Sequence, residues 1–122
     1  MHNNYKTEVE KMNKEWPGKP VEVTDEDIDD FIEKYPVSMI DCWAVWCGPC
    51  RMMEPVLNEL AEEMKGEVVI GKLNVDKNRV KSSEFGVSSI PTLLIFKDGE
   101  LKDKAVGAMP KDNLKQILEK YV

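Results

Sequence analysis

Apolar residues recur along this chain in two rhythms, as short continuous runs and as stripes spaced by three and four. Val21 to Val23 reads as a short strand. Thr24, with Asp27 three residues on, forms a capping-box start for a helix whose apolar face is Ile28, Phe31, Ile32 and Tyr35, and Pro36 ends it. Val37 to Ala44 is a mostly apolar run interrupted by one carboxylate, the pattern of a central strand. The strongest helical stripe is Met53, Val56, Leu57, Leu60, Ala61 and Met64, predicting a helix from Gly48 to Lys65. Pro55 should bend that helix, because it removes one backbone bond and crowds the preceding turn. Gly66 is placed to close it in the left-handed conformation. Val68 to Val75 is the next strand, followed by a short helix around Asn78 to Glu84 that ends near Gly86. Thr92 to Phe96 has the continuous apolar character of a strand buried on both faces. Asp98-Gly99 then turns the chain into a strand from Leu101 to Val106. A last helix carries Leu114, Ile117, Leu118 and Tyr121 on one side.

The order βαβαβαββα, with no internal repeat or low-complexity linker, predicts an α/β fold: a central mixed five-stranded sheet with helices on both faces. Residues 1–20 stand apart as an N-terminal extension, leaving residues 21–122 as the domain. Tyr5, Val9, Met12 and Trp16 fall at helical spacing before Pro17, Gly18 and Pro20 stop any helix. The segment is therefore either a short helix docked on the domain or a tail.

Composition narrows the function. The chain has 122 residues, 42% hydrophobic and 33% charged, which fits one ordinary globular domain. No run approaches the length of a membrane span, and the mixed-charge N-terminus does not read as a secretory signal. The expectation is a soluble cytoplasmic protein. A net charge of −6 argues against nucleic acid as a partner.

Three cysteines and one histidine decide more. A secreted disulfide framework would carry more cysteines in even number, so a single Cys-x-x-Cys here means redox chemistry or half a metal site. His2 is the only imidazole, which removes a Cys–His nucleophile pair and mixed Cys/His zinc sites. Cys47 and Cys50 sit where a central strand gives way to a helix, and the free amides there favour negative charge on Cys47. Cys50, one turn on, falls on the same face and deeper. An exposed thiolate that attacks and a sheltered thiol that resolves are the expected division. Lowering a cysteine from pKa about 8.5 to about 7 raises its thiolate fraction roughly 15-fold at pH 7. Lower intrinsic nucleophilicity cancels about fivefold of that, so most of the advantage must come from the neighbouring second thiol.

The string Trp46-Cys47-Gly48-Pro49-Cys50 resembles the active site of the thioredoxin family. The segments Ile40-Asp41-Cys42-Trp43-Ala44, Lys72-Leu73-Asn74-Val75-Asp76, Ile90-Pro91-Thr92 and Val106-Gly107-Ala108 resemble the same family in order and spacing, over about residues 21–122. The resemblance implies the thioredoxin fold and protein-disulfide reduction, with no cofactor beyond a redox-active Cys47–Cys50 disulfide. It implies that Asp41 is a buried acid–base group taking the Cys50 proton, with Lys72 beside it. Burial should raise the Asp41 pKa toward neutrality. It further implies a cis bond at Ile90–Pro91 and a shallow groove for the substrate strand. Trp46, Gly48, Pro49, Ile90, Pro91, Val106, Gly107 and Ala108 would form that groove, and Trp43 would pack beneath the site. The partners implied are a thioredoxin reductase and disulfide-containing proteins, met by a monomer.

Two positions depart from the common family pattern. Ser89 stands where glycine is common and would narrow the groove or add a hydrogen bond. Cys42 replaces an aromatic residue, and strand alternation puts it on the face away from Asp41 and Trp43, as a buried inert thiol rather than a third redox cysteine. Gly48-Pro49 between the cysteines resembles the reducing members of the superfamily, which makes a disulfide oxidase or isomerase the nearest alternative. A metal or cluster would need a dimer to complete its ligands, and a redox-idle binding adaptor is the remaining option. No nucleotide-binding glycine loop is present, so electrons must arrive from another protein.

Overall fold

The computed structural model describes residues 16–122. The strands are β1 (Val21–Val23), β2 (Val37–Trp43), β3 (Val69–Asn74), β4 (Thr92–Lys97) and β5 (Glu100–Val106). The helices are α1 (Ile28–Lys34), α2 (Gly48–Met52), α3 (Glu54–Glu63), α4 (Arg79–Glu84) and α5 (Lys111–Glu119). One sheet has the order β1-β3-β2-β4-β5. β3 lies parallel to both β1 and β2, while β4 runs antiparallel to β2 and β5. This is the mixed five-stranded sheet that the hydrophobic pattern predicts.

Alternation along β2 divides the core. Val37 and Met39 face the side covered by α3 and α5, where Leu57, Leu60, Leu114 and Leu118 are buried. Ile40 and Cys42 face the other side, against Ile28 and Ile32 of α1 and Phe85 at the end of α4. Asp41 and Trp43 therefore project toward the α3 side, with the active-site helix. Gly71 in β3 gives its neighbours room, and a larger residue would make Ile40 and Phe31 shift. A Cβ there would lie 2.8 Å from Ile40 Cδ1 and 3.0 Å from Phe31 Cε2.

The predicted helix from Gly48 to Lys65 is two helices instead. Pro55 has no N–H to offer the Arg51 carbonyl and its ring crowds that turn. The chain responds at Met53, whose N–H is shared between the carbonyls of Pro49 and Cys50, both at 3.2 Å, before α3 begins. The α3 helix ends at Glu63, and Gly66 turns the chain with φ +92°. The capping box is present as a reciprocal pair: Thr24 N donates to Asp27 Oδ1 at 2.7 Å, and Asp27 N to Thr24 Oγ1 at 3.3 Å. Asp98 and Gly99 both have positive φ, the turn that brings β5 back onto β4. α4 takes its cap from afar: Asp25 accepts from Lys81 N at 2.9 Å and Val80 N at 3.3 Å.

Trp16 is buried, its ring 4.9 Å from that of Tyr35, in a small cluster with Val69 and Phe31. The end of the predicted N-terminal stripe is thus docked. Tyr5, Val9 and Met12 lie outside the described residues.

Candidate active site

The site is built at the carboxyl end of β2, where ligands gather in open α/β sheets. Cys47 N donates to Ala44 O at 3.1 Å, which folds the segment after the strand into a turn. Cys47 becomes the N-cap of α2, and Pro49 occupies the first turn, where a missing N–H costs nothing. Cys47 and Cys50 form a disulfide, with Cα atoms 5.2 Å apart. Cys50 N points at Cys47 Sγ from 3.2 Å. An amide so placed can favour negative charge on that sulfur.

Burial corrects one expectation. Cys47 is not an exposed sulfur here: it is 3% exposed and Cys50 1%. In the disulfide its Sγ is turned onto Cys50 and lies 3.9 Å from Ile90 O, under the loop that carries the cis Ile90–Pro91 bond. The residues around it are open instead. Trp46 is 69% exposed, and Gly48 and Pro49 are exposed.

The structure brings Ile90, Pro91, Val106 and Gly107 to the same rim. Gly107 N donates to Pro91 O at 2.8 Å, and Val106 pairs with Thr92 in the sheet. Val106 and Ala108 are exposed, Ile90 and Gly107 half-buried, and Pro91 buried. Ser89 is exposed, and its backbone ties the loop, its carbonyl accepting a hydrogen bond from Thr92 Oγ1.

Asp41 is 1% exposed, and among the described residues neither carboxylate oxygen has a hydrogen-bond partner. Desolvation pushes its pKa up from 3.8 to about 7; Lys72 opposes the rise and Glu54 adds to it. Lys72 is its register partner on β3. The lysine ammonium lies 3.7 Å from Glu54 Oε1 and 4.4 Å from the centre of the Trp43 ring. Cys42, on the other face, has its thiol pushed up to about 12 by burial and by the Asp41 charge, as an inert thiol requires. Among the described residues no group of three or more His, Cys, Asp and Glu side chains could hold a metal ion, and no helix is long and apolar enough to cross a membrane.

The family model for thioredoxin matches residues 19–120. The chain belongs to the thioredoxin family. It is 51% identical over 102 residues to a thioredoxin of Staphylococcus saprophyticus, a match covering 84% of this chain and 97% of the relative. A Staphylococcus aureus thioredoxin is 49% identical over the same shares. Among solved structures, a point-mutant thioredoxin from Halobacterium salinarum superposes with a TM-score of 0.84 at 37% identity, covering 89% of this chain and 96% of that one. Like the family, this chain is a thiol–disulfide oxidoreductase that reduces protein disulfides.

Two residues of this thioredoxin site escape a reading of the sequence. Asp76 accepts a hydrogen bond from Trp46 Nε1 at 2.8 Å and so fixes an otherwise exposed ring beside the disulfide. Glu54 pairs with Lys72, the register partner of Asp41. Asp76 falls inside a segment that already resembles the family, but nothing there points to Trp46. Glu54 reads as an ordinary solvated position on a helix.

Proposed function

We propose that Cys47 is the attacking thiol, Cys50 the resolving thiol and Asp41 the proton acceptor in a two-electron reduction of protein disulfides. The observation that carries this reading is a buried, unpaired carboxylate with pKa near neutrality in the strand that leads into the Cys47–Cys50 pair. Cys47 thiolate attacks one sulfur of the substrate disulfide. That bond breaks, and the leaving sulfur takes the electron pair and a proton from solvent. Cys50 then gives its proton to Asp41 and attacks Cys47 Sγ. The mixed disulfide breaks, the second substrate sulfur leaves with the electron pair and takes a proton from solvent, and the Cys47–Cys50 disulfide remains. Asp41, with Lys72 beside it, passes the proton on to water. A reductase supplies two electrons to reopen the pair; a thioredoxin reductase fits that role.

The substrate would lie as an extended segment along Trp46, Gly48, Pro49, Ile90, Pro91, Val106, Gly107 and Ala108, pairing its backbone with the loop beside Pro91. The reading is of a monomer acting in the reducing cytoplasm, where such a cysteine pair serves redox exchange and not as a structural staple. An acidic surface suits protein rather than nucleic-acid partners. Residues 21–122 would form the catalytic domain and residues 1–20 an N-terminal extension, of which Trp16 is packed on Tyr35.

Reduction of insulin with a dithiol reductant tests the assignment. Cys47→Ser should abolish turnover, and Cys50→Ser should stall as a mixed disulfide with substrate. Full turnover by Cys47→Ser would overturn it. Gly48-Pro49 favours the reductase over an oxidase or isomerase. Equilibration against glutathione should give a potential near the family's general value of about −270 mV; a value near about −180 mV or above would favour the isomerase.

A further inference from the structure

Lys72 could have met Asp41 directly, since the two are cross-strand partners with side chains on one face of the sheet. It does not. Among the described residues both Asp41 oxygens are without a donor, and the Lys72 ammonium lies against Glu54 and the Trp43 ring. Glu54 reaches that point because α3 starts anew at Glu54, after the break at Met53 that Pro55 imposes. The ammonium lines a small open pocket of about 150 Å³ with Pro20, Glu54, Leu57 and Asn58.

We propose that Glu54 is a positioning residue for the proton-transfer step: it holds the Lys72 ammonium away from Asp41 and so keeps the Asp41 carboxyl an unpaired proton acceptor. The proposal rests on the reading of Asp41 as the acceptor for the Cys50 proton. A lysine bonded to Asp41 would favour the ionised carboxylate and lower its basicity. Glu54 opposes that in two ways, by competing for the ammonium and by setting its own negative charge near Asp41. Among the described residues, the other polar and charged side chains lining the hollows beside Lys72 are Glu22 from β1 and Asn58 from α3. As a half-exposed ion pair the contact contributes little to stability. Its effect is on which carboxylate the lysine serves.

The oxidised protein gives a clean readout. The Cys47–Cys50 pair does not titrate there, and Cys42 titrates only near 12. Following the Asp41 carboxyl carbon by NMR, Glu54→Gln should lower the midpoint by roughly half a unit to one unit, given one charge removed at a partly screened site. Glu54→Asp should restore most of the shift. In a Lys72→Met background, Glu54→Gln should produce less than half of it, because the lysine is the intermediary. The pH profile for release of substrate from the mixed disulfide should move with the midpoint. An unmoved midpoint in Glu54→Gln would overturn the proposal, as would an equal shift from Glu22→Gln or an undiminished shift without Lys72. Failure of the acceptor reading is distinguishable. It would appear as an Asp41→Asn variant with full activity, whatever the Glu54 variants do to the titration.

Discussion

Replacing Asp41 by Asn should make the oxidised protein more stable at pH 8 and leave its stability almost unchanged at pH 4. The carboxyl is raised from 3.8 to about 7 by its environment in the fold. At about 1.4 kcal/mol per pKa unit, that rise corresponds to about 4 kcal/mol of destabilisation once the group is ionised. The direction follows from proton counts. Below about pH 4 the group is protonated in the folded and unfolded chains alike, and the penalty is absent. Between about pH 4 and pH 7 the unfolded chain releases the proton while the folded chain keeps it, so stability falls as pH rises. Above about pH 7 the full penalty applies.

Asparagine is neutral and nearly isosteric, and it leaves a similar pair of buried polar atoms. The difference between parent and variant therefore isolates the charge. Urea unfolding of both oxidised proteins from about pH 4 to pH 8.5 should show a gap that opens between about pH 4 and pH 7 and levels off near 4 kcal/mol, a large share of a domain's usual 5–15 kcal/mol. A gap that does not change with pH, or a parent more stable than the variant at pH 8, would refute the reasoning. The same variant should reduce insulin at least about tenfold more slowly near pH 7, since loss of a general base commonly costs a hundredfold or more.

Limiting iodoacetamide on the reduced protein near pH 7 should label Cys47 first, since the amide of Cys50 faces its sulfur and Cys42 stays protonated; mapping by mass spectrometry checks the order. Trp16→Ala should lower the unfolding free energy by about 2–4 kcal/mol through loss of a buried aromatic, while insulin reduction continues unchanged. Asp76→Ala should free the Trp46 ring, changing stability by less than about 1 kcal/mol because the bond is exposed, yet raising KM for protein substrates.

The fold was legible where local chemistry and global packing agree. The continuous apolar run Thr92–Phe96 is buried within strand Thr92–Lys97, and Asp98-Gly99 turns where its positive φ values allow. Cys42 and Asp41 lie on opposite faces because a strand alternates with a period of two, whatever surrounds it. What stayed hidden depends on contacts remote in sequence. The cap on α4 comes from Asp25, more than fifty residues away, and the Trp46–Asp76 bond joins two separate loops. The break at Met53 was half legible. Pro55 marks the disturbance, but its relief two residues earlier follows from which carbonyls the Met53 amide can still reach.

The places where the sequence breaks ordinary folding rules gather around the disulfide. A carboxylate lies unpaired in a central strand, a proline falls inside a helical stripe, and a tryptophan stays open to solvent. These features are connected. Pro55 ends α2 after five residues and restarts the helix at Glu54, which places that side chain on Lys72. With Lys72 held there, Asp41 remains unpaired, and an unpaired buried carboxylate is one whose proton can leave and return near neutral pH. A sequence optimised for stability alone would bury Asn or Leu at position 41 and let the helix run straight. On the proposed role of Asp41, it would then lack the acceptor for the Cys50 proton. If Asp41 accepts the Cys50 proton as proposed, the stability lost there and the reactivity of the Cys47–Cys50 pair are linked, so substitutions that relieve the first should slow the second.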